Sequence, residues 1–150
     1  MDTQVVVGAT QREPDGLALS SRNVYLGTRR RDVATVLSRT LKAAETVYLK
    51  GLRSRDELLG PAKRIPEKML EAQQTRKPEE RALFEVDYIS LADPETMQEV
   101  EEVDETKGAI LSGAVKMLPV ESPQPGEDLG LSGGPSVRLI DNIILKPVKV

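Results

Sequence analysis

The sequence predicts an α+β fold: helices packed on a small, mainly three-stranded antiparallel sheet. Three observations predict it. Apolar residues at helical spacing are confined to the first half of the chain. Three strand-like runs then follow with no helical pattern between them. Runs of helices followed by runs of strands give a layer of helices on one face of an antiparallel sheet.

Val5-Val6-Val7 is a short β-branched run ending at Gly8, the pattern of a buried strand. A strand so placed looks like the last strand of a preceding unit. Residues 9–27 have loop character: Asp15-Gly16 is a turn dipeptide, and Ser20, Ser21 and Asn23 favour caps and turns. A helix is predicted over residues 28–50, capped by Thr28 and ended by Gly51. Its apolar stripe is Val33, Val36, Leu37, Leu41, Ala44, Val47 and Tyr48. Ser54 and Glu57 form a capping-box pattern for a second helix, with Leu58, Leu59, Ala62, Ile65, Met69 and Leu70 on its apolar face. Pro61 and Pro66 predict a break or kink, because proline lacks the amide donor an interior turn needs. Strands are predicted over residues 82–91, 109–118 and 137–145. Residues 119–135 carry four prolines and four glycines and read as a flexible surface insertion.

The 150 residues suit one domain with a core of its own. No apolar run reaches the length of a membrane span, and residues 1–4 do not resemble a signal peptide, so no membrane partner and a cytoplasmic location are expected. The chain has no cysteine and no histidine. Disulfides, thiolate nucleophiles, histidine general bases and histidine-ligated zinc are therefore excluded within it, and no metal ligands are assigned. Residues 1–81 hold 16 Lys and Arg against 11 Asp and Glu; residues 82–150 hold 5 against 13. A basic half suits an anionic ligand, but the charge alone is better read as a solvated helix surface. Aromatic residues are too scarce, at 3%, for a base-stacking platform, so no nucleic-acid partner is expected.

Chemistry concentrates at Leu19-Ser20-Ser21-Arg22. Two hydroxyls and free backbone amides can donate to phosphate oxygens, and Arg22 adds a planar, permanently charged fork. A loop between elements can also close over a ligand. Taken alone, the same residues read first as a polar capping turn.

The wider string Arg12-Glu13-x-Asp15-Gly16-Leu17-Ala18-Leu19-Ser20-Ser21-Arg22-Asn23-x-Tyr25-Leu26 closely resembles the signature of the pantothenate synthetase (pantoate–β-alanine ligase) family. Arg138-Leu139-Ile140-Asp141-Asn142 and, more loosely, Val86-Asp87-Tyr88 with Ala92-Asp93 match in the family's order. The resemblance implies a ligase that activates pantoate with Mg2+-bound ATP as pantoyl adenylate, then joins it to the amine of β-alanine, releasing AMP. It implies that Gln11, Leu19, Ser20, Ser21 and Arg22 line the ATP site. Gln11 would serve through its main chain, and Ser20, Ser21 and Arg22 would be the catalytic contacts to the phosphates. Arg138 to Asn142 are read as architecture and Tyr25 as packing. The family's His-x-Gly-His and Gly-x-Lys-Asp-x-x-Gln motifs are not in this sequence. The resemblance therefore implies a C-terminal, lid-like domain whose partner is an N-terminal nucleotide-binding domain, in an enzyme that is dimeric at full length. A related adenylate-forming ligase for another acid, and a non-catalytic interaction module on the same fold, are the alternatives.

Overall fold

The structure is a computed structural model that describes residues 10–148. The predicted strand at residues 5–7 lies outside the described residues. In order come a 3-10 turn, Ser21–Tyr25, then α1 (Gly27–Ala34), α2 (Val36–Leu49), α3 (Arg55–Gln74), β1 (Phe84–Ala92), β2 (Ala109–Met117), a short 3-10 turn, Leu131–Gly133, and β3 (Val137–Leu145). The strands form one antiparallel sheet in the order β1-β2-β3. This is the α+β arrangement that the order of apolar patterns predicts.

The predicted helix over residues 28–50 is divided at Thr35. That residue keeps a helical φ of −67° but flattens ψ to −7°. Its hydroxyl donates to Asp32 O at 3.1 Å, taking an acceptor that the helix ladder would use. Thr28 is not the cap; the helix starts at Gly27, and the Thr28 amide instead donates to Asp128 O. Gly51 ends α2 at φ 105°, a conformation glycine takes without steric cost.

The Ser54–Glu57 capping box forms as expected, with Ser54 Oγ accepting the Glu57 amide at 3.2 Å. The expected break does not occur: α3 runs through both prolines. Leu58, Ala62 and Pro66 recur every fourth residue on the buried face, so the Pro66 ring supplies apolar surface to the stripe. That packing offsets the hydrogen bond Pro66 removes, while Pro61 lies on the exposed face.

Leu37, Leu41, Ala44 and Tyr48 of α2 meet Phe84, Leu91, Leu111, Val115, Met117, Leu139 and Leu145 of the sheet in a single core. Each fully buried large side chain contributes about 1.5–3 kcal/mol. Gly113 brings helix and sheet close: a Cβ there would sit 2.8 Å from Leu37 Cδ1. The β1–β2 register shifts between Val86 and Tyr88, a bulge at Asp87. Among the described residues, no helix is long and apolar enough to cross a membrane.

Candidate functional site

Residues 11–19 form a tight hairpin that presents the Leu19–Arg22 tetrad. Arg12 bridges Ala18, the Leu19 amide donates to Gln11 O at 2.9 Å, and the Gly16 amide donates to Glu13 O at 2.9 Å. Pro14 and Asp15 occupy the centre of that turn, and Gly16 takes φ 93° after it. Asp15 Oδ1 accepts the Leu17 amide, closing the turn further.

The hairpin is fastened on two sides. Arg12 reaches β3, where Nη1 and Nη2 donate to the two carboxylate oxygens of Asp141 at 2.6 and 2.7 Å. The same guanidinium donates to Gly16 O at 3.0 Å and Asn142 O at 3.2 Å. Asp141 is only 3% exposed, so the pair is shielded from solvent on the carboxylate side. On the other face, Arg31 of α1 pairs with Glu13 and, at 3.5 Å, with Asp15. The architectural role expected for Asp141 is what these bonds give it.

Beyond the fastened hairpin, Leu19 is 54% exposed, and Ser20, Ser21 and Arg22 are also exposed. Ser20 Oγ accepts the Arg22 amide at 3.1 Å and so caps the Ser21–Tyr25 turn. Asn23 Nδ2 donates to Ala18 O at 3.0 Å, while its buried Oδ1 has no donor. Arg22 Nη1 donates to Arg138 O at 3.2 Å. Arg22, Tyr25, Pro135, Ser136, Val137 and Arg138 line an open cleft of about 430 Å³. Gln11 is exposed and its carbonyl is taken by Leu19. Ser20 lines a neighbouring recess with Asp141 rather than this cleft. Arg138 pairs with Asp87 at 2.8 Å and lies over the Tyr88 ring. Parts of the three stretches thus touch, Arg12 and Arg22 on β3 and Arg138 on Asp87, while Ala92 lies at the far end of β1.

Two arginines that the sequence pattern does not single out tie neighbouring segments together, and one of them, Arg30, holds two main-chain carbonyls of the cleft residues. Arg29 pairs with Glu127 through two bonds, at 2.6 and 2.8 Å, and donates to the carbonyls of Pro78, Arg81 and Glu121. Arg30 is fully buried and donates to the carbonyls of Tyr25, Leu26, Leu118 and Pro135. Burial draws its pKa below the ordinary arginine value. Residues 119–135 are pinned to α1 by these contacts and by the Thr28–Asp128 bond. The available signal was Arg29-Arg30-Arg31 itself. Three cations near a helix start oppose the helix dipole unless other partners claim them.

Known proteins resemble this chain in sequence and in fold. The profile of the family described as pantoate-beta-alanine ligase matches residues 1–144. The pantothenate synthetase of Herpetosiphon aurantiacus is 36% identical over 145 residues, which are 97% of this chain and 42% of that protein. That of Chloroflexus aggregans is 37% identical over 142 residues, 95% of this chain and 40% of that protein. A crystal structure of pantothenate synthetase from Thermus thermophilus superposes with a TM-score of 0.57 at 34% identity, covering 92% of this chain and 38% of that one. The chain spans about two fifths of the length of the curated relatives it matches. With its signature loop, its sheet and nearly its whole length accounted for, the chain belongs to the pantoate–β-alanine ligase family.

Proposed function

We propose that this chain is the C-terminal, ATP-gripping domain of a pantoate–β-alanine ligase. In this reading Leu19, Ser20, Ser21 and Arg22 close on the triphosphate of ATP. The pantoate carboxylate attacks the α-phosphate, and pyrophosphate leaves. The amine of β-alanine then displaces AMP from pantoyl adenylate to give pantothenate. The chemical difficulty is charge: a carboxylate must approach an anionic phosphate. A positioned guanidinium and hydroxyl donors lower that barrier by meeting the charge that develops.

One observation carries the reading. Ser20, Ser21 and Arg22 are exposed, while the hairpin that leads into them is fastened to β3 through Arg12 and to α1 through Glu13. An anchored hairpin leading into exposed donors presents them to a ligand from a fixed frame. The donor set fits a polyphosphate: two hydroxyls, and a guanidinium that no carboxylate pairs among the described residues. ATP supplies the adenylyl group. Magnesium enters with the nucleotide, on its phosphate oxygens. The family's N-terminal domain supplies the opposite wall, and the full-length enzyme is the homodimer.

Calorimetry tests the division of labour. The 150-residue chain alone should take Mg-ATP weakly and make no pantothenate, because one wall neither preorganises the ligand nor excludes water. In a full-length ligase containing this chain, Arg22→Ala should remove about 1.5–3 kcal/mol of transition-state stabilisation, the scale of a hydrogen bond to a charged group. Unchanged turnover and ATP affinity would refute the phosphate role.

A further inference from the structure

Arg30 is the only fully buried cation among the described residues, and no carboxylate pairs with it there. Its neighbours differ: Arg29 has Glu127, and Arg31 has Glu13 and Asp15. A guanidinium does not shed its proton inside a protein. A buried charge without a counter-ion is costly, so its field must be met by dipoles. Here four backbone carbonyls meet it: Nε donates to Leu26 O at 3.0 Å, Nη1 to Leu118 O at 3.2 Å and Pro135 O at 2.7 Å, and Nη2 to Tyr25 O.

The Pro135 carbonyl acts on its far side as well. The Pro135–Ser136 peptide is trans and planar, so its N–H points opposite to its C=O. With the oxygen turned onto Arg30, the Ser136 N–H points away from Arg30. Ser136, Val137 and Arg138 line the same cleft as Arg22, Tyr25 and Pro135. The peptide dipole therefore has its positive end on a residue of the cleft that Arg22 also lines. Arg138 adds little net charge, being neutralised by Asp87.

We propose that Arg30 is a positioning residue that charges this cleft for a phosphate anion, and that the Ser136 N–H is a phosphate donor opposite Arg22. The proposal rests on the reading of Arg22 as a phosphate-gripping residue and deepens it, by giving the same grip a second jaw built from β3 and powered from beneath.

The chain has no histidine, so one introduced imidazole reports without ambiguity. Ser136→His, combined with Arg22→Ala to remove that exposed charge, places it in the cleft. Its titration is followed by NMR. The groups facing it are then the Arg138–Asp87 pair and, across the Pro135 peptide, Arg30. The imidazole should titrate below about 5.5, tenfold less basic than the ordinary value near 6.5. Adding Arg30→Met should return it to the ordinary range, and the first measurement decides even where that variant does not fold. In the unmutated chain, inorganic pyrophosphate should shift the Ser136 amide together with those of Ser20, Ser21 and Arg22. An imidazole titrating at or above its ordinary value overturns the proposal. So does pyrophosphate that shifts Ser21 and Arg22 and leaves Ser136 unmoved, a result that leaves the role of Arg22 intact.

Discussion

Arg12 holds Asp141 by two parallel N–H···O bonds, across 129 residues of sequence. The bond pair ties the root of the candidate phosphate loop to β3. Asp141→Asn should leave the Arg12 guanidinium partly unpaired. We expect a loss of about 2–3 kcal/mol in urea denaturation, below the ~3–5 kcal/mol of fully buried pairs because Arg12 remains 19% exposed. The double variant Arg12→Met/Asp141→Leu should be more stable than Asp141→Asn. A single variant as stable as the parent would show that the hairpin does not depend on this pair.

Arg22 should behave in the opposite way. Its side chain is exposed and makes one bond to a carbonyl. Arg22→Ala should change the stability of the chain by less than about 0.5 kcal/mol, as for exposed positions generally. A large drop in Tm would identify it as a structural residue.

Gly130 takes φ 84°, and a Cβ there would lie 2.5 Å from Tyr25 O and 2.8 Å from Gly27 N. Two stretches of main chain meet at this point with no room for a side chain. Gly130→Ala should cost about 2–3 kcal/mol through overpacking and backbone strain. Hydrogen exchange should report the loosening first in residues 126–134 and in the Ser21–Tyr25 turn.

Acid should weaken the fold through carboxylates that donors hold ionised. Burial opposes the charge on Glu99, but Ser90 Oγ, Arg55 and the Leu91 amide more than offset it and keep its pKa below the ordinary value. Asp93 is lowered by the Thr96 and Glu95 amides, and Glu127 by the Gln124 amide and then Arg29. Each group is more acidic folded than unfolded, so the unfolded chain binds more protons in the interval between the two values. Stability therefore rises with pH there and is lost as pH falls from about 4.5 toward the folded values. Glu99→Gln should flatten the dependence of Tm on pH between about 5 and about 3. A slope unchanged by the substitution would show that Glu99 contributes nothing to it.

β3 is legible because alternation survives burial in its first half, and the pattern over residues 137–145 matches it end to end; β1 and β2 do not alternate in burial, yet fall within two residues of the runs that predict them. Helix ends are less so. The Thr35 division depends on a hydroxyl finding the Asp32 carbonyl, and the continuity of α3 depends on where the Pro66 ring packs. Neither fact is written in local composition. The loop residues of the candidate site can be named in advance because they form one contiguous string. Arg30 cannot, because in sequence it is one more cation of a basic half. Its partners are main-chain carbonyls, which carry no residue identity and are brought together only by the fold.

The bulge at Asp87 bears on how the chain treats copies of itself. β1 borders the sheet among the described residues, and a bare strand edge is a template on which another chain can lay down its own backbone. Here an incoming strand would meet a ladder that loses step between Val86 and Tyr88, and would have to seat itself beside the carboxylates of Glu85 and Asp87. The irregularity breaks the sheet's periodicity where endless stacking would begin, and so favours a solution of separate molecules over a fibre.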